Sequence, residues 1–289
     1  MKNPKILVPV DFSETSLKGL DAARLFAELF DGLVGTLYVS ESKNDASINE
    51  IISGFSQAGN QPAMERLQKH LKNVSIEHLG EYFSGNAMCK LGYPPTDIVK
   101  ESKNYDMIIM TSHGRSGLSR LLLGSVAEKV TRESSIPVMI IKRDANALDL
   151  KKIMVTTDLS FSSTIAFPYA ESIAKKALSD VDMVYAISYE NFEWLSEIQT
   201  FIREQKENLE AYRDKYFGDI KNQVETKTLY SHRSVHGELI RQIEDQKYGL
   251  VIMSTLGKTG LDYLRLGSTA YSILRQTKAP LLLIPFRKV

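Results

Sequence analysis

Disulfide bonds within the chain are excluded, because Cys89 is the only cysteine among its 289 residues. A fold without cross-links must be stabilised by its hydrophobic cores. A single thiol also suits a reducing compartment, so we expect a cytoplasmic protein. Domains usually contain about 100–150 residues, and a chain of this length therefore accommodates two of them.

The sequence also lacks long apolar runs and an excess of one charge. Its apolar segments, such as 107–110 and 281–284, fall far short of the roughly 20 residues that a membrane-spanning helix needs. Asp11 interrupts the apolar stretch 6–10 before it reaches the length of a signal-peptide core. Lysine and arginine (36) balance aspartate and glutamate (35), which leaves a net charge of +1. We therefore expect neither a membrane nor a nucleic acid among the partners.

Several motifs of enzymes and metal sites are missing as well. No segment fits the phosphate loop Gly-x4-Gly-Lys-Ser/Thr, since no glycine stands at the required position before Gly257-Lys258-Thr259. The sequence has no Gly-x-Ser-x-Gly elbow, no His-Glu-x-x-His and no paired cysteines. His232 and His236 are four residues apart, but the neighbouring Gly237 indicates a turn, so we expect no metal held by the protein alone. No residue is assigned a catalytic role.

The chain repeats itself. Ile6-Leu-Val-Pro-Val-Asp11-Phe-Ser near the start resembles Ile153-Met-Val-Thr-Thr-Asp158-Leu-Ser, at an offset of 147 residues. Segments 114–125 and 257–268 share the pattern Gly-x2-Gly-x6-Gly-Ser, at an offset of 143 residues. Two pairs of matching segments, in the same order and at nearly the same offset, indicate a duplication. We predict copy one at 1–145 and copy two at 150–289, with the polar stretch 143–150 at the boundary.

Each copy alternates short apolar segments with helical ones. Residues 15–30 have a helical apolar period between the strand-like segments 6–10 and 34–39, which gives a β-α-β unit. Buried-type strands separated by helices indicate a parallel sheet covered on both faces. The fold class is therefore α/β, with two doubly wound sandwiches of five parallel strands. Further strands are predicted at 74–82, 107–110, 138–141, 153–156, 181–187, 224–229, 250–253 and 281–284, and further helices at 95–103, 125–133 and 194–217.

In such folds the ligand lies beyond the carboxyl ends of the strands, where the strand order reverses. Asp11 and Asp158 follow the first strand of each copy and can accept hydrogen bonds from ribose hydroxyls or hold a divalent ion on phosphates. The glycine loops 110–125 and 253–268 lead into helices whose first amides and dipole favour an anion. The alternative is that the glycines only turn the chain and the serines after them are ordinary N-caps.

On these motifs both halves of the chain resemble the universal stress protein family. The family signature of Gly, two residues, Gly, nine residues, Gly and Ser or Thr is similar to 111–125 and 254–268. The strand ends at Asp11 and Asp158 also look like that family, as do four further positions: Gly92 and Pro137 in copy one, Gly237 and Pro280 in copy two.

The resemblance implies binding of ATP or a related adenine nucleotide, with Mg²⁺ as the candidate ion. The base would rest at the end of the second strand, the ribose on the aspartate and the phosphates over the glycine loop. The residues implied are Pro9, Val10, Asp11, Val39, Met110, Thr111, His113, Gly114, Arg115, Gly124, Ser125 and Val126 in copy one, and Thr157, Asp158, Ala186, Met253, Ser254, Gly257, Lys258, Gly267, Ser268 and Thr269 in copy two.

Both copies depart from the signature at its first glycine, which is Thr111 in copy one and Ser254 in copy two. A hydroxyl there either bonds to the ligand or crowds it. Copy two also has Leu256 where copy one has His113. We therefore favour copy one as the nucleotide site, while occupation of either copy, both or neither stays open.

Three functions remain open. The leading hypothesis is a cytoplasmic stress-response or signalling protein that binds ATP with no turnover or slow turnover. The second is a slow ATP-hydrolysing enzyme that uses Asp11 or Asp158 with a divalent ion. The third is a degenerate module that binds another small ligand or acts only as a dimerisation scaffold. Because last strands in this family commonly pair across a dimer, the resemblance also implies an internal pseudo-dimer, with a further homodimer left open.

Overall fold

The computed structural model describes residues 1–41, 63–112, 123–142, 148–188, 195–231, 234–257 and 266–286. The chain divides into two compact units, Met1–Arg143 and Asp144–Val289. Both units are α/β, and the strand pairs within each are parallel. The predicted fold class is confirmed.

Unit one orders its described strands as β3-β2-β1-β4-β5. The chain runs outward from β1 to β3 and then returns to β4 on the other side of β1, so the strand order reverses between β1 and β4. The strands are β1 (Lys5–Pro9), β2 (Leu33–Ser40), β3 (Phe83–Leu91), β4 (Met107–Thr111) and β5 (Val138–Ile141), and the helices are α1 (Glu14–Phe30), α2 (Ala63–Leu79), α3 (Pro94–Glu101) and α4 (Ser125–Glu133).

Unit two repeats this topology with the described strands ordered β8-β7-β6-β9-β10, so its order reverses between β6 and β9. The strands are β6 (Lys152–Thr157), β7 (Asp180–Ser188), β8 (Val224–Ser231), β9 (Leu250–Ser254) and β10 (Leu281–Ile284). The helices are α5 (Phe161–Thr164), α6 (Phe167–Ala177), α7 (Leu195–Tyr216), α8 (Val235–Gln246) and α9 (Ser268–Gln276).

The last two strands of each unit are buried along their whole length. Every residue of β4, β5, β9 and β10 is buried, which is why these segments are short continuous apolar runs in the sequence. Helices cover them, and the hydrophobic core of each unit therefore lies directly beneath the edge of the sheet where the strands end.

The third strand of unit one is not at 74–82, and this prediction was wrong. Those residues belong to α2 and to the 3₁₀ turn Gly80–Tyr82, and β3 begins only at Phe83. The alternation of apolar and polar residues in 74–82 is accidental, because the fully buried side chains of α2 recur every four residues. They are Leu67, Leu71, Ser75 and Leu79.

The first helix of copy two is interrupted, although its counterpart α1 is continuous. Pro168 lies at the start of α6. Proline has no N–H to donate to the carbonyl four residues earlier, and its ring crowds that carbonyl. Because that carbonyl belongs to Thr164, the last residue of α5, the helix is divided into α5 and α6.

The helix predicted at 194–217 is α7, between β7 and β8. It packs on unit two through aromatic rings: those of Tyr212 and Tyr216 lie 6.1 and 5.1 Å from the ring of Phe167. Much of the rest of α7 is exposed and charged. Across the described ranges, none of the helices, α7 included, combines the length and apolar character needed to cross a membrane.

Candidate functional site

The first strand of each unit ends in an aspartate whose carboxylate is bound by the next turn. Asp11 Oδ1 accepts hydrogen bonds from the N–H and the hydroxyl of Ser13, at 3.0 and 2.6 Å. Asp158 Oδ1 accepts the same pair of bonds from Ser160, at 3.0 and 2.5 Å. One oxygen of each carboxylate is thus fixed at the carboxyl edge of the sheet, beside the point where the strand order reverses.

The residue after each aspartate has a left-handed backbone. Phe12 and Leu159 both have φ of 62°, a conformation that large side chains rarely adopt. Such a residue costs of order 1–3 kcal/mol and persists only where its surroundings hold it. The same local strain beside both candidate ligand carboxylates marks this turn as part of the site.

The glycine loop of each unit is closed at its base by one backbone hydrogen bond. The N–H of Gly124 donates to the carbonyl of Ser112, and the N–H of Gly267 donates to the carbonyl of Thr255, both at 2.7 Å. Each loop therefore leaves and rejoins the domain at the end of β4 or β9. This closure places the first turn of α4 or α9 beside that strand end.

The helices that follow the glycine loops are capped differently from α1, α5 and α8. In those three helices the N-cap serine hydroxyl accepts a first-turn N–H at 3.1–3.2 Å, and these serines are Ser13, Ser160 and Ser234. The N-caps of α4 and α9 are Gly124 and Gly267, and within the described residues no side chain caps either helix. The alternative that Ser125 and Ser268 are N-caps is wrong, because both are already inside the helix. The first-turn amides of α4 and α9 therefore have no side-chain cap among these residues, an arrangement that suits an anion.

In unit two these segments enclose a cleft with a cavity volume of about 180 Å³. It lies between the ends of β6 and β9. Nine of the ten residues predicted for copy two line it, namely Thr157, Asp158, Ala186, Met253, Ser254, Gly257, Gly267, Ser268 and Thr269. Lys258, the tenth, lies outside the described residues. Three further lining residues lie in the predicted strand end and glycine loop without having been named as ligands, namely Thr156, Thr255 and Leu256. The lining residues that sequence reasoning missed are Ser163, Val235, Leu239 and Ala270.

The cleft has one polar and one apolar side. Thr157 Oγ1 lies 2.7 Å from Ser163 Oγ and accepts the N–H of Leu159 at 2.9 Å, so hydroxyl groups line the side next to the aspartate turn. Val235 and Leu239 of α8 form an apolar wall. A flat apolar ring carrying polar groups matches this distribution.

Asp158 is the charged residue of the described lining, and its charge acts on the nearby Tyr185. Burial, and then the negative charge of Asp158, raise the pKa of the Tyr185 hydroxyl. Asp158 is itself half-buried, and partial burial strengthens the interactions of a carboxylate with a ligand.

The structure brings the predicted residues of copy one to the same edge of unit one. Those described are Pro9 at the end of β1, Val10 and Asp11 just after it, Val39 in β2, Met110 and Thr111 at the end of β4, Gly124 as the N-cap of α4, and Ser125 and Val126 in its first turn. His113, Gly114 and Arg115 lie outside the described residues.

The glycines matched between the copies, Gly92 and Gly237, are not at equivalent positions. Gly92 precedes Tyr93, the N-cap of α3, whereas Gly237 is the third residue of α8. Matching the copies by the helix start instead pairs the first and fifth residues of α3 with those of α8. The two helices then share an apolar pair four residues apart, Pro94 and Ile98 in α3 and Val235 and Leu239 in α8, and the pair in α8 lines the cleft of unit two.

The turn predicted around His236 was also wrong, because His236 lies in the first turn of α8. His232 is outside the described residues. Among the residues that are described, no three His, Cys, Asp or Glu side chains are grouped so that they could hold a metal ion.

Fold and site together define a doubly wound α/β domain, present twice, whose strand-end aspartate and closed glycine loop lie where the strand order reverses. The model of the universal stress protein family matches residues 2–142 and 149–285. The chain therefore belongs to the universal stress protein family and carries two of its domains in tandem.

Two relatives from one archaeon each match about half of the chain. Universal stress protein MJ0577 of Methanocaldococcus jannaschii is 33% identical over 153 residues, which cover 48% of this chain and 94% of the relative. Universal stress protein MJ0531 of the same organism is 31% identical over 146 residues, which cover 48% of this chain and 82% of the relative. Among solved structures, a universal stress protein from Archaeoglobus fulgidus DSM 4304 covers 97% of both chains, with 23% identity and a TM-score of 0.67, and supports the fold.

Proposed function

We propose that this chain is a cytoplasmic stress-response or signalling protein that binds an adenine nucleotide, ATP, in the crevice of one or both copies. One observation carries the proposal: α4 and α9 begin at Gly124 and Gly267, at the closed base of each glycine loop, and no side chain of the described residues caps either helix. Unpaired amides at the positive end of a helix dipole suit the phosphates of a nucleotide.

The cleft of unit two offers a partner for each part of ATP. Val235 and Leu239 supply an apolar wall for the base, and Asp158 supplies a carboxylate for the ribose hydroxyls. The first turn of α9 supplies amides for the phosphates. The same carboxylate fits Mg²⁺, which favours one or two protein carboxylates together with phosphate oxygens and waters. The ion would neutralise phosphate charge.

Copy two is the candidate site whose cleft is lined by described residues. Although the sequence favoured copy one, the cleft described above belongs to unit two. Its Ser254, which replaces the first glycine of the signature, accepts the N–H of Leu256 at 3.3 Å. The hydroxyl of this cleft-lining serine is therefore engaged by the loop backbone.

Calorimetric titration with ATP and Mg²⁺ tests the proposal, using the parent chain beside Gly114→Val and Gly257→Val. We expect the parent to bind, and loss of binding in one variant to identify the copy responsible. A parent that binds no ATP would refute nucleotide binding and favour another ligand or a scaffold. Phosphate release, measured in the same samples and in Asp158→Ala, decides between storage of ATP and slow hydrolysis.

A further inference from the structure

The helix after the second strand of unit one reaches the left-handed residue of the aspartate turn. The His70 ring of α2 stacks on the Phe12 ring, with centroids 4.9 Å apart and planes at 25°. The Tyr38 ring of β2 contacts the same Phe12 ring at 5.3 Å. Phe12, the residue directly after Asp11, is thus held between a strand and a helix.

Unit two has a contact at the same place with different chemistry. The hydroxyl of Tyr212 in α7 donates to the carbonyl of Leu159, the residue directly after Asp158, at 3.4 Å. The rings of Phe167 and Tyr216 lie 6.1 and 5.9 Å from the Tyr212 ring and hold it in position. His70 and Tyr212 lie at nearly the same distance in sequence before the third strand of their copies.

Both contacts fall on the one residue of the turn whose backbone is strained. Phe12 and Leu159 have φ of 62°, and a residue of their size does not keep that conformation without outside support. If the strained residue relaxed, the neighbouring carboxylate would change direction, because the two residues share a peptide bond.

We propose that His70 and Tyr212 are positioning residues, through which α2 and α7 hold the turns that direct the Asp11 and Asp158 carboxylates toward the ligand. The part of this inference that concerns the ligand rests on the proposed function. The support of the turn is a property of the free protein and can be measured without ligand.

Amide hydrogen exchange tests the support of the turn. The N–H groups of Ser13 and Ser160 donate to Asp11 and Asp158, so their exchange reports whether each turn is closed. We expect His70→Ala to speed exchange at Ser13, and Tyr212→Phe to speed it at Ser160, each roughly 2- to 10-fold. His70→Phe should restore slow exchange, because phenylalanine also stacks on Phe12.

Matched controls separate this effect from general loosening of the helices. Lys69→Ala changes an exposed neighbour of His70 on α2. Tyr216→Phe removes the hydroxyl of the tyrosine one turn after Tyr212, which contacts the same Phe167 ring. Both controls should leave exchange at Ser13 and Ser160 unchanged. Parent-like exchange in both His70→Ala and Tyr212→Phe would overturn the proposal.

A pair of ligands tests the role of the carboxylate. His70→Ala and Tyr212→Phe should each weaken the binding of ATP to the copy they affect by roughly 2- to 10-fold. The binding of 2′,3′-dideoxy-ATP should weaken much less. The analogue has no ribose hydroxyls for the carboxylate to bind. Equal losses for both ligands would overturn the positioning role. A parent that binds no ATP would refute the proposed function, while hydrogen exchange would still decide whether the turns are supported.

Discussion

Gly257 lies so close to Asp158 that a Cβ atom at position 257 would overlap Oδ2 of the carboxylate. The other carboxylate oxygen, Oδ1, is bound by Ser160 in the turn. One aspartate therefore joins the two sequence motifs of copy two: its Oδ1 belongs to the strand-end turn and its Oδ2 faces the glycine loop. A side chain at position 257 must move the carboxylate.

Gly257→Ala is expected to weaken nucleotide binding to copy two by about 10-fold or more, because a misdirected carboxylate loses its contacts with the ligand. Folding stability should change by less than about 1 kcal/mol, since the displaced atom is the end of a movable side chain. Calorimetry and denaturant unfolding measure the two quantities. Gly218→Ala is the matched control, because a Cβ there meets open space. Parent-like affinity in Gly257→Ala would contradict the prediction.

Gly19→Ala is expected to stabilise unit one by about 0.5–1 kcal/mol, because glycine disfavours a helix interior. Gly19 lies in α1, and a Cβ there would meet Thr111 Cγ2 and Val8 Cγ1 at 3.7 Å, an ordinary contact distance. The methyl group of Thr111, which replaces the first signature glycine, thus faces α1. Denaturant unfolding measures the change.

Gly249→Ala is the opposing control for Gly19→Ala, because its Cβ would overlap the backbone carbonyl of Asp149. It should destabilise unit two by about 1–3 kcal/mol or more. A loss of stability in Gly19→Ala would show that the space beside Thr111 is too small for a methyl group.

The interior of both units could be predicted from sequence, and the edge of unit one could not. The strands at 138–141 and 281–284 and the helix at 125–133 were found at the predicted residues. Strands buried on both faces are apolar throughout, so they stand out in a sequence. The edge strand β3 has Ala87 as its single fully buried residue, and its polar sequence carries no strand pattern.

Part of the candidate site could likewise be predicted from the sequence, and part of it could not. Asp158 and the glycines of the loop could be placed in one cleft, because strand ends meet at one edge of a parallel sheet. Val235 and Leu239 could not, because their place depends on how α8 packs beside β7. The left-handed backbone of Phe12 was not predicted either, since nothing in its sequence distinguishes a strained phenylalanine from an ordinary one.

Tyr248→Phe is expected to lower the unfolding free energy of unit two by about 1.5–3 kcal/mol, the usual loss for a hydrogen bond to a charged group. The Tyr248 hydroxyl donates to the carboxylate of Asp182, which is 3% exposed and lies 2.8 Å from Nζ of Lys227. Burial and this hydrogen bond raise the pKa of Tyr248, so the hydroxyl is protonated and able to donate at neutral pH. Denaturant unfolding of unit two measures the loss.

Tyr105→Phe in unit one is the matched control for Tyr248→Phe. Gly35 occupies in unit one the position that Asp182 has in unit two, because Gly35 pairs with Leu7 of β1 and Asp182 pairs with Met154 of β6. Unit one therefore has a glycine where unit two has the carboxylate. The Tyr105 hydroxyl accepts from Nδ2 of Asn86 at 3.0 Å, in an exposed setting. Its loss should cost less than about 1 kcal/mol. Equal costs for the two variants would contradict a special role for the carboxylate.

Acidification is expected to weaken unit one through His70. Burial lowers the pKa of His70 below its ordinary value of 6.5, so the folded state favours the neutral ring that stacks on Phe12. The stability contributed by His70 is then fully present above pH 6.5 and is lost as the pH falls through the folded-state pKa. As the pH falls from about 8 to 5, the unfolding free energy of His70→Phe should therefore rise relative to that of the parent. Titrations of other groups cancel in this difference, and Lys69→Ala should follow the parent. A difference that does not vary with pH would mean that His70 keeps the same proton affinity in the folded and unfolded states.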